Sequence, residues 1–372
     1  MSAPSQATAL FDELAALGAE APDGGSFSPV AIDRIVDAGL HGISVPKEVG
    51  GAELGVVECI EVWSELSRAD GSIGWVAFAM DTALSYFGSY LPDDGADELF
   101  GAGLPYVAGQ FAPNGTATAD GEDWIVDGSY QFGSGIELAQ LAGAGFLATP
   151  AGGGDPAYLF GCFPVEHAEL RANWDVLGLR ATRSVDYAVS GVRVPASHTF
   201  DFFAPVVHRG GPIARFGVLP LTAVGHAAWA LGVTRRALDE LLVAAGRTRM
   251  GAASSIGDSD HGLITIARLE SRYRAGRAWV LEVAEQAEAE CAATGEFLSP
   301  ATADLVRQAC VHVNQEGARI GQEAYLLAGT AALRDGALQR CFRDLHAGAQ
   351  HFFASNAASL DFARGLLSGG PS

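Results

Sequence analysis

Lysine is all but missing from this chain. Lys47 is the only one in 372 residues, so arginine carries nearly all of the positive charge. Acidic residues outnumber basic ones by 44 to 23, and the formal net charge is −21. That excess argues against nucleic acid or anionic lipid as a partner, because phosphate binding needs a basic surface. Cysteine is sparse too. Cys59, Cys162, Cys291, Cys310 and Cys341 are scattered, odd in number and free of any Cys-x-x-Cys pair. This pattern excludes a disulfide framework and a thiolate zinc site, and it points to reduced thiols in the cytoplasm. No run of 18 uncharged apolar residues occurs, so a membrane-spanning helix is not expected. Residues 1–20 lack a basic stretch followed by an apolar core and a small-residue cleavage site, so no secretory signal is expected either. No Gly-x-Gly-x-x-Gly opens a helix after a strand, and no phosphate-loop Gly-Lys motif occurs. Rossmann and P-loop nucleotide chemistry are therefore disfavoured.

What is present is a large apolar fraction. Hydrophobic residues make up 49% and the mean hydropathy is +0.18, enough for two or three domains around a substantial core. The first 105 residues read helical. Ser28-Pro29 marks a helix start, with Ile32, Ile35, Val36 and Leu40 recurring at helical spacing. Further helices are expected over 54–68 and 73–86. From 106 the character changes. Residues 124–132 read as two short strands around the Asp127-Gly128 turn, and 145–149, 158–163 and 187–194 read as further strands. Strands without intervening helices predict an antiparallel barrel or sandwich over 106–203. From 204 to 372 the pattern is helical again, with long segments over 219–245, 261–293, 300–328 and 338–367. In the third, Val306, Cys310, Val313, Gly317, Ile320, Ala324 and Leu327 alternate by four and three, the seam of an antiparallel four-helix bundle.

Three stretches carry a family resemblance. Gly39-Leu40-His41-Gly42-Ile43-Ser44-Val45-Pro46 runs into Gly50-Gly51. Trp174-Asp175-Val176-Leu177-Gly178-Leu179-Arg180-Ala181-Thr182-Arg183-Ser184 closes on Val192-Arg193-Val194-Pro195. Arg343-Asp344 is followed seven residues later by His351. In this order the chain resembles the acyl-CoA dehydrogenase superfamily along nearly its whole length, and the last stretch resembles its branch of two-component flavin-dependent monooxygenases. The resemblance implies an α+β fold: a helical N-terminal domain, a middle β domain and a C-terminal helical bundle. It also implies a homotetramer, reduced flavin (FMNH2 or FADH2) and O2 as cofactors, and a separate NAD(P)H:flavin reductase as partner.

The candidate site residues follow from it. The common dehydrogenases keep a glutamate base just beyond the Arg-Asp pair, in a Tyr-Glu-Gly run. Here the matching residues are His351-Phe352-Phe353, so that carboxylate is missing. An oxygenase instead needs a water-poor site and an acid/base group, and histidine serves near neutral pH. His351 matches the active-site histidine of the branch. Ser134, in Phe132-Gly133-Ser134-Gly135, matches the segment against the flavin ring, where it would hydrogen-bond N5 or O4. Asn114, Phe132, Trp174, Thr182, Ser184 and Arg249 complete the flavin-binding candidates, with Arg247 beside Arg249 as a phosphate contact. At 100° per residue Arg340, Asp344 and His351 share one face of a helix, where Asp344 is expected in a structural ion pair. Asp239 and Glu240 are the nearest alternative bases for a dehydrogenase. The phenol-hydroxylating members carry a histidine after a Gly-Trp-Val run, and after Gly74-Trp75-Val76 this chain has none. The readings left open are an oxygenase, a desaturase with an atypical base, and a redox-inactive binding protein. The apolar, cation-poor composition favours an uncharged or amine-bearing small-molecule substrate over a polyanion.

Overall fold

The computed structural model describes residues 1–21, 25–248 and 255–368. The N-terminal helices are α1 (Ala3–Ala9), α2 (Phe11–Ala19), α3 (Val30–Asp37), α4 (Val56–Ala69), α5 (Gly71–Tyr90) and α6 (Asp93–Phe100). α5 is buried on nearly every face, which explains why it lacks an amphipathic stripe. Asp70 starts it, accepting from the Ser72 and Ile73 amides at 2.9 and 3.1 Å.

A seven-stranded sheet follows: β1 (Val107–Asp120), β2 (Asp123–Gly133), β3 (Leu141–Thr149), β4 (Ala157–Pro164), β5 (Glu169–Arg171), β6 (Val185–Val194) and β7 (Thr199–Asp201). Its order is β5-β6-β2-β1-β3-β4-β7. The antiparallel expectation needs one correction, because β1 and β3 run parallel and the sheet is mixed. A second correction concerns Asp127-Gly128, which is no turn. β2 runs straight through it, and the reversal lies at Gly121, whose φ is +67°. Asp127 accepts from the Gly191 amide across a bulge between β2 and β6, so its turn-forming chemistry is spent between strands.

The C-terminal helices are α7 (Val218–Ala245), α8 (Asp260–Thr294), α9 (Pro300–Ala328), α10 (Ala337–Gly348) and α11 (Asn356–Leu367). The expected single helix over 338–367 is broken. α10 stops at Gly348, whose α-carbon faces the Trp229 ring so closely that an added Cβ would lie 2.3 Å from it. His351 then turns extended, and its own ring caps a short turn at Phe352–Ala354. Side chains that bond the nearby backbone compete with helix continuation, and His351 and Ser355 both do so or sit extended here. The turn is pinned to α9, where Cys310 Sγ and Gln315 Nε2 reach the Phe353 and Ala354 carbonyls. Arg340, Asp344 and His351 therefore do not share a helix face.

No helix among the described residues is long and apolar enough to cross a membrane. All five cysteines are free and buried.

The N- and C-terminal helices meet through small residues. Ser64 Oγ donates to the Ala228 carbonyl at 3.0 Å, and a Cβ at Gly232 would sit 2.1 Å from the Ser64 carbonyl oxygen. Gly232 thus sets the α4–α7 approach. Gly232→Ala should destabilise the protein by about 1–3 kcal/mol, the usual cost of overpacking. Urea denaturation measures this, and an unchanged midpoint would contradict it.

Candidate flavin and oxygen site

Three parts of the chain converge on Trp75 of α5. Its indole Nε1 donates to Ser134 Oγ at 3.0 Å. Ser134 Oγ lies 2.7 Å from Ser184 Oγ, which lies 2.7 Å from Thr182 Oγ1. Thr182 Oγ1 donates to the Leu179 carbonyl at 2.8 Å, and the Trp174 indole donates to the same oxygen at 3.1 Å. Four of the sequence candidates (Ser134, Trp174, Thr182 and Ser184) are thus tied into one hydrogen-bond chain. Phe132 joins them by packing edge-on against Trp174 at 6.2 Å while remaining 54% exposed.

This patch stores backbone strain. Phe132, Leu179 and Arg183 have φ of 65°, 56° and 45°, left-handed values rare for bulky residues. Each such residue costs on the order of 1–3 kcal/mol, and such strain concentrates at ligand clamps. Gly135, φ 72°, packs so tightly on α5 that a Cβ would meet Val76 at 2.7 Å. The glycine is needed both for its conformation and for this approach.

The other face of Trp75 is aromatic. Its ring meets Phe78, His226, Trp229 and His351 edge-on, with centroids 4.9–5.5 Å apart. His226 and His351 stack at 4.3 Å, and Phe353 lies 5.0 Å from His226. Phe111 closes one side at 6.1 Å from Phe353. Both imidazoles are held neutral by burial among these rings. His351 is pushed down to about 4, and His226 falls well below the ordinary histidine value, with the neighbouring His351 adding to the burial effect. Their tautomers are set differently. The Phe353 amide donates to His351 Nδ1 at 3.4 Å, leaving the proton on Nε2. His226 Nδ1 lies 2.8 Å from the Thr222 carbonyl, so its proton is there, and its buried Nε2 is an acceptor with no partner among the described residues.

Two candidates fall elsewhere. Asn114 is exposed on β1. It is Phe111, three residues earlier, that reaches the cage. Arg249 lies outside the described residues. Its neighbour Arg247 lines a groove of about 320 Å³ with Thr248, Thr330 and Arg334. Asp344 is not in the expected ion pair. Its Oδ1 accepts from the Leu179 amide at 2.6 Å, while Arg340 and Arg343 approach Asp335. Asp239 and Glu240 are paired with Arg68, Arg235 and Arg236. Sequence reasoning missed Trp75, His226 and Phe353 as site residues. A signal existed for His226: a single histidine inside α7, a helix buried almost throughout, is either partnered or functional.

The donor set fits a flavin ring. Neutral hydroxyls, an indole N–H, an orphaned imidazole acceptor and flat apolar walls suit a planar heterocycle with carbonyls and nitrogens on its rim. Among the described residues no carboxylate bonds to Trp75, Ser134, Ser184, His226 or His351.

The chain matches the acyl-CoA dehydrogenase N-terminal domain over residues 7–99 and the acyl-CoA dehydrogenase C-terminal domain over residues 224–356. It belongs to the acyl-CoA dehydrogenase superfamily. Within it, the chain falls in the branch of two-component flavin-dependent monooxygenases. It is 28% identical to indole-3-acetate monooxygenase of Acinetobacter baumannii, covering 88% of this chain and 84% of that protein. It is also 28% identical to indole-3-acetate monooxygenase of Pseudomonas putida, covering 91% and 88%. The fold matches the solved structure of XiaF from Streptomyces sp. in complex with FADH2 and glycerol. There the TM-score is 0.87 at 20% identity, covering 99% of this chain and 96% of that one.

The neutral imidazoles make stability depend on pH. The unfolded histidine titrates near 6.5 and folded His351 near about 4, so the unfolded chain binds more protons between these values. The stability contributed by the neutral ring is complete above about 6.5 and drains as the pH falls towards 4. Buried Asp81 and Asp344, both raised to about 7, act in the opposite sense. The comparison of His351→Phe with the parent therefore cancels the aspartates and reads His351 together with its effect on His226. The variant should lose less stability between pH 6.5 and 4 by urea denaturation. Parallel curves for the two proteins would contradict the assignment.

Proposed function

We propose that this chain is the oxygenase component of a two-component flavin-dependent monooxygenase acting on a small aromatic substrate. The net reaction converts an aromatic C–H, O2 and reduced flavin into the hydroxylated ring, water and oxidised flavin. The single observation that carries this reading is the cage itself. Where a desaturase needs a carboxylate over the reacting carbon, this chain supports a neutral imidazole, His351, ringed by Trp75, His226 and Phe353.

Reduced FMN or FAD supplies the electrons that activate O2 when it is bound. The protein's own groups do the rest. The protons of Ser134, Ser184 and Thr182 are used along their own chain, so these groups present acceptor oxygens to the ring's polar edge, and Trp75 fixes Ser134. Trp174 and Phe132 form an apolar wall, with Asn114 a more distant contact. Arg247, Arg334 and Arg249 serve the phosphate end; arginine's planar fork suits that group. His351 offers Nε2–H as a neutral donor and can pass or recover that proton through the reaction. The aromatic rings exclude water, which protects the reactive oxygen from wasteful loss. The same rings suit a flat substrate, in line with the indole-3-acetate monooxygenases this chain is similar to. Reduced flavin arrives from a separate NAD(P)H:flavin reductase. A cytoplasmic homotetramer completes the proposal.

The test supplies reduced FMN or FAD, O2 and an aromatic panel headed by indole-3-acetate, and reads product formed per flavin oxidised. His351→Ala should lower that coupled yield at least about tenfold, below the usual contribution of a positioned proton donor. Equal yields in the two proteins remove His351 from the mechanism. Anaerobic bleaching of bound oxidised flavin by acyl-CoA thioesters would instead establish the desaturase reading.

A further inference from the structure

The carboxylate of Asp344 has no role in the chemistry above, yet it is only 9% exposed and lies in the field of the half-buried Asp70 carboxylate, which the Arg343 and Arg340 guanidinium groups oppose. Burying a charge beside a like charge is costly unless a specific bond repays it. The bond it makes is to one peptide. Asp344 Oδ1 takes the Leu179 amide at 2.6 Å, and Leu179 is held left-handed at φ 56°. The carbonyl of Leu179 accepts from the Trp174 indole, the Thr182 hydroxyl and the Thr182 amide at 3.1, 2.8 and 3.2 Å. Thr182 in turn holds Ser184 through its hydroxyl and the Gly135 amide through its carbonyl. The contact is close along the backbone as well. A Cβ at Gly178 would lie 2.2 Å from the Arg343 carbonyl oxygen and 2.6 Å from the Asp344 amide.

We propose that Asp344 is a positioning residue for flavin binding: it clamps the Leu179 peptide in the left-handed conformation that aims Trp174, Thr182, Ser184 and Ser134 at the cofactor. The inference rests on the flavin reading of the site. It replaces a salt-bridge role for the Arg-Asp pair with a hydrogen-bonding one. Asp344 never touches the cofactor; it acts through Leu179. The bond, and not the charge, is what matters, so an uncharged acceptor of the same shape suffices. Asparagine keeps Oδ1 and removes the repulsion from Asp70.

Two measurements test it. In the ligand-free protein, hydrogen–deuterium exchange of residues 174–184 reads the clamp without any cofactor. Asp344→Ala should speed exchange there about tenfold to a hundredfold, the range for losing a hydrogen bond to a charged group. Asp344→Asn should leave it within about threefold of the parent. Anaerobic equilibrium dialysis with dithionite-reduced FMN and reduced FAD then reads binding. D344A should weaken the preferred flavin at least tenfold, and D344N should restore it. Should D344A not fold, D344L removes the same acceptor with an apolar side chain branched at the same carbon. Unchanged exchange and affinity in D344A or D344L overturn the proposal, and so does a D344N protein as impaired as D344A. If the parent binds neither flavin, the flavin reading fails, while the exchange data still decide whether Asp344 clamps the loop.

Discussion

One peptide, that of Leu179, is bonded on both sides by different parts of the chain. Its amide is taken by Asp344 of the last helical region, and its carbonyl by Trp174 and Thr182 of its own loop. From there hydroxyls run through Ser184 and Ser134 to the Trp75 indole on α5. The helical N-terminus, the sheet and the C-terminal helices are thereby joined through a single line of hydrogen bonds. A neutral hydrogen bond adds only about 1 kcal/mol net, but leaving its buried partners unmade costs more. The line is therefore better described as a device for geometry than for stability. The strain at Phe132, Leu179 and Arg183 is consistent with that.

The electrostatics of the cage follow from burial. In a chain of net charge −21 this site is built from neutral groups, while Asp239 and Glu240 are taken up by arginines. Both imidazoles are uncharged at neutral pH because the surrounding rings offer no solvation for a cation. A neutral donor at His351 and a bare acceptor at His226 give the site both hydrogen-bonding polarities without a fixed charge. This combination suits flavin and O2 chemistry better than removal of a proton from carbon, which needs a carboxylate or a stronger base.

Much of this was legible in the sequence, and the exceptions have physical causes. Helical periodicity located α4, α5, α7, α8 and α9 within a few residues, because amphipathic or continuous apolar patterns survive in one chain. The order of helices, strands and helices was likewise visible. The break after Gly348 was not, since it depends on Trp229 from a distant helix pressing on that glycine. Nor was the passage of β2 through Asp127-Gly128, because the bulge that uses Asp127 exists only once β6 lies alongside. Parallel pairing of β1 with β3 is a non-local choice that alternation cannot report. At the site, local motifs singled out Ser134, Trp174, Thr182, Ser184 and His351. Trp75 and His226 were hidden inside helices apolar enough to read as core alone, and Asp344 was misread because its partner is a backbone amide 165 positions away.

On this chemistry the scaffold spends reduced flavin on oxygen transfer. Turnover under 18O2 with reduced flavin and an accepted aromatic substrate tests it most directly. Mass spectrometry of the product should show one 18O atom per molecule, with the other oxygen atom leaving as labelled water. A product carrying no label, or a desaturated thioester formed without O2 incorporation, would contradict the account.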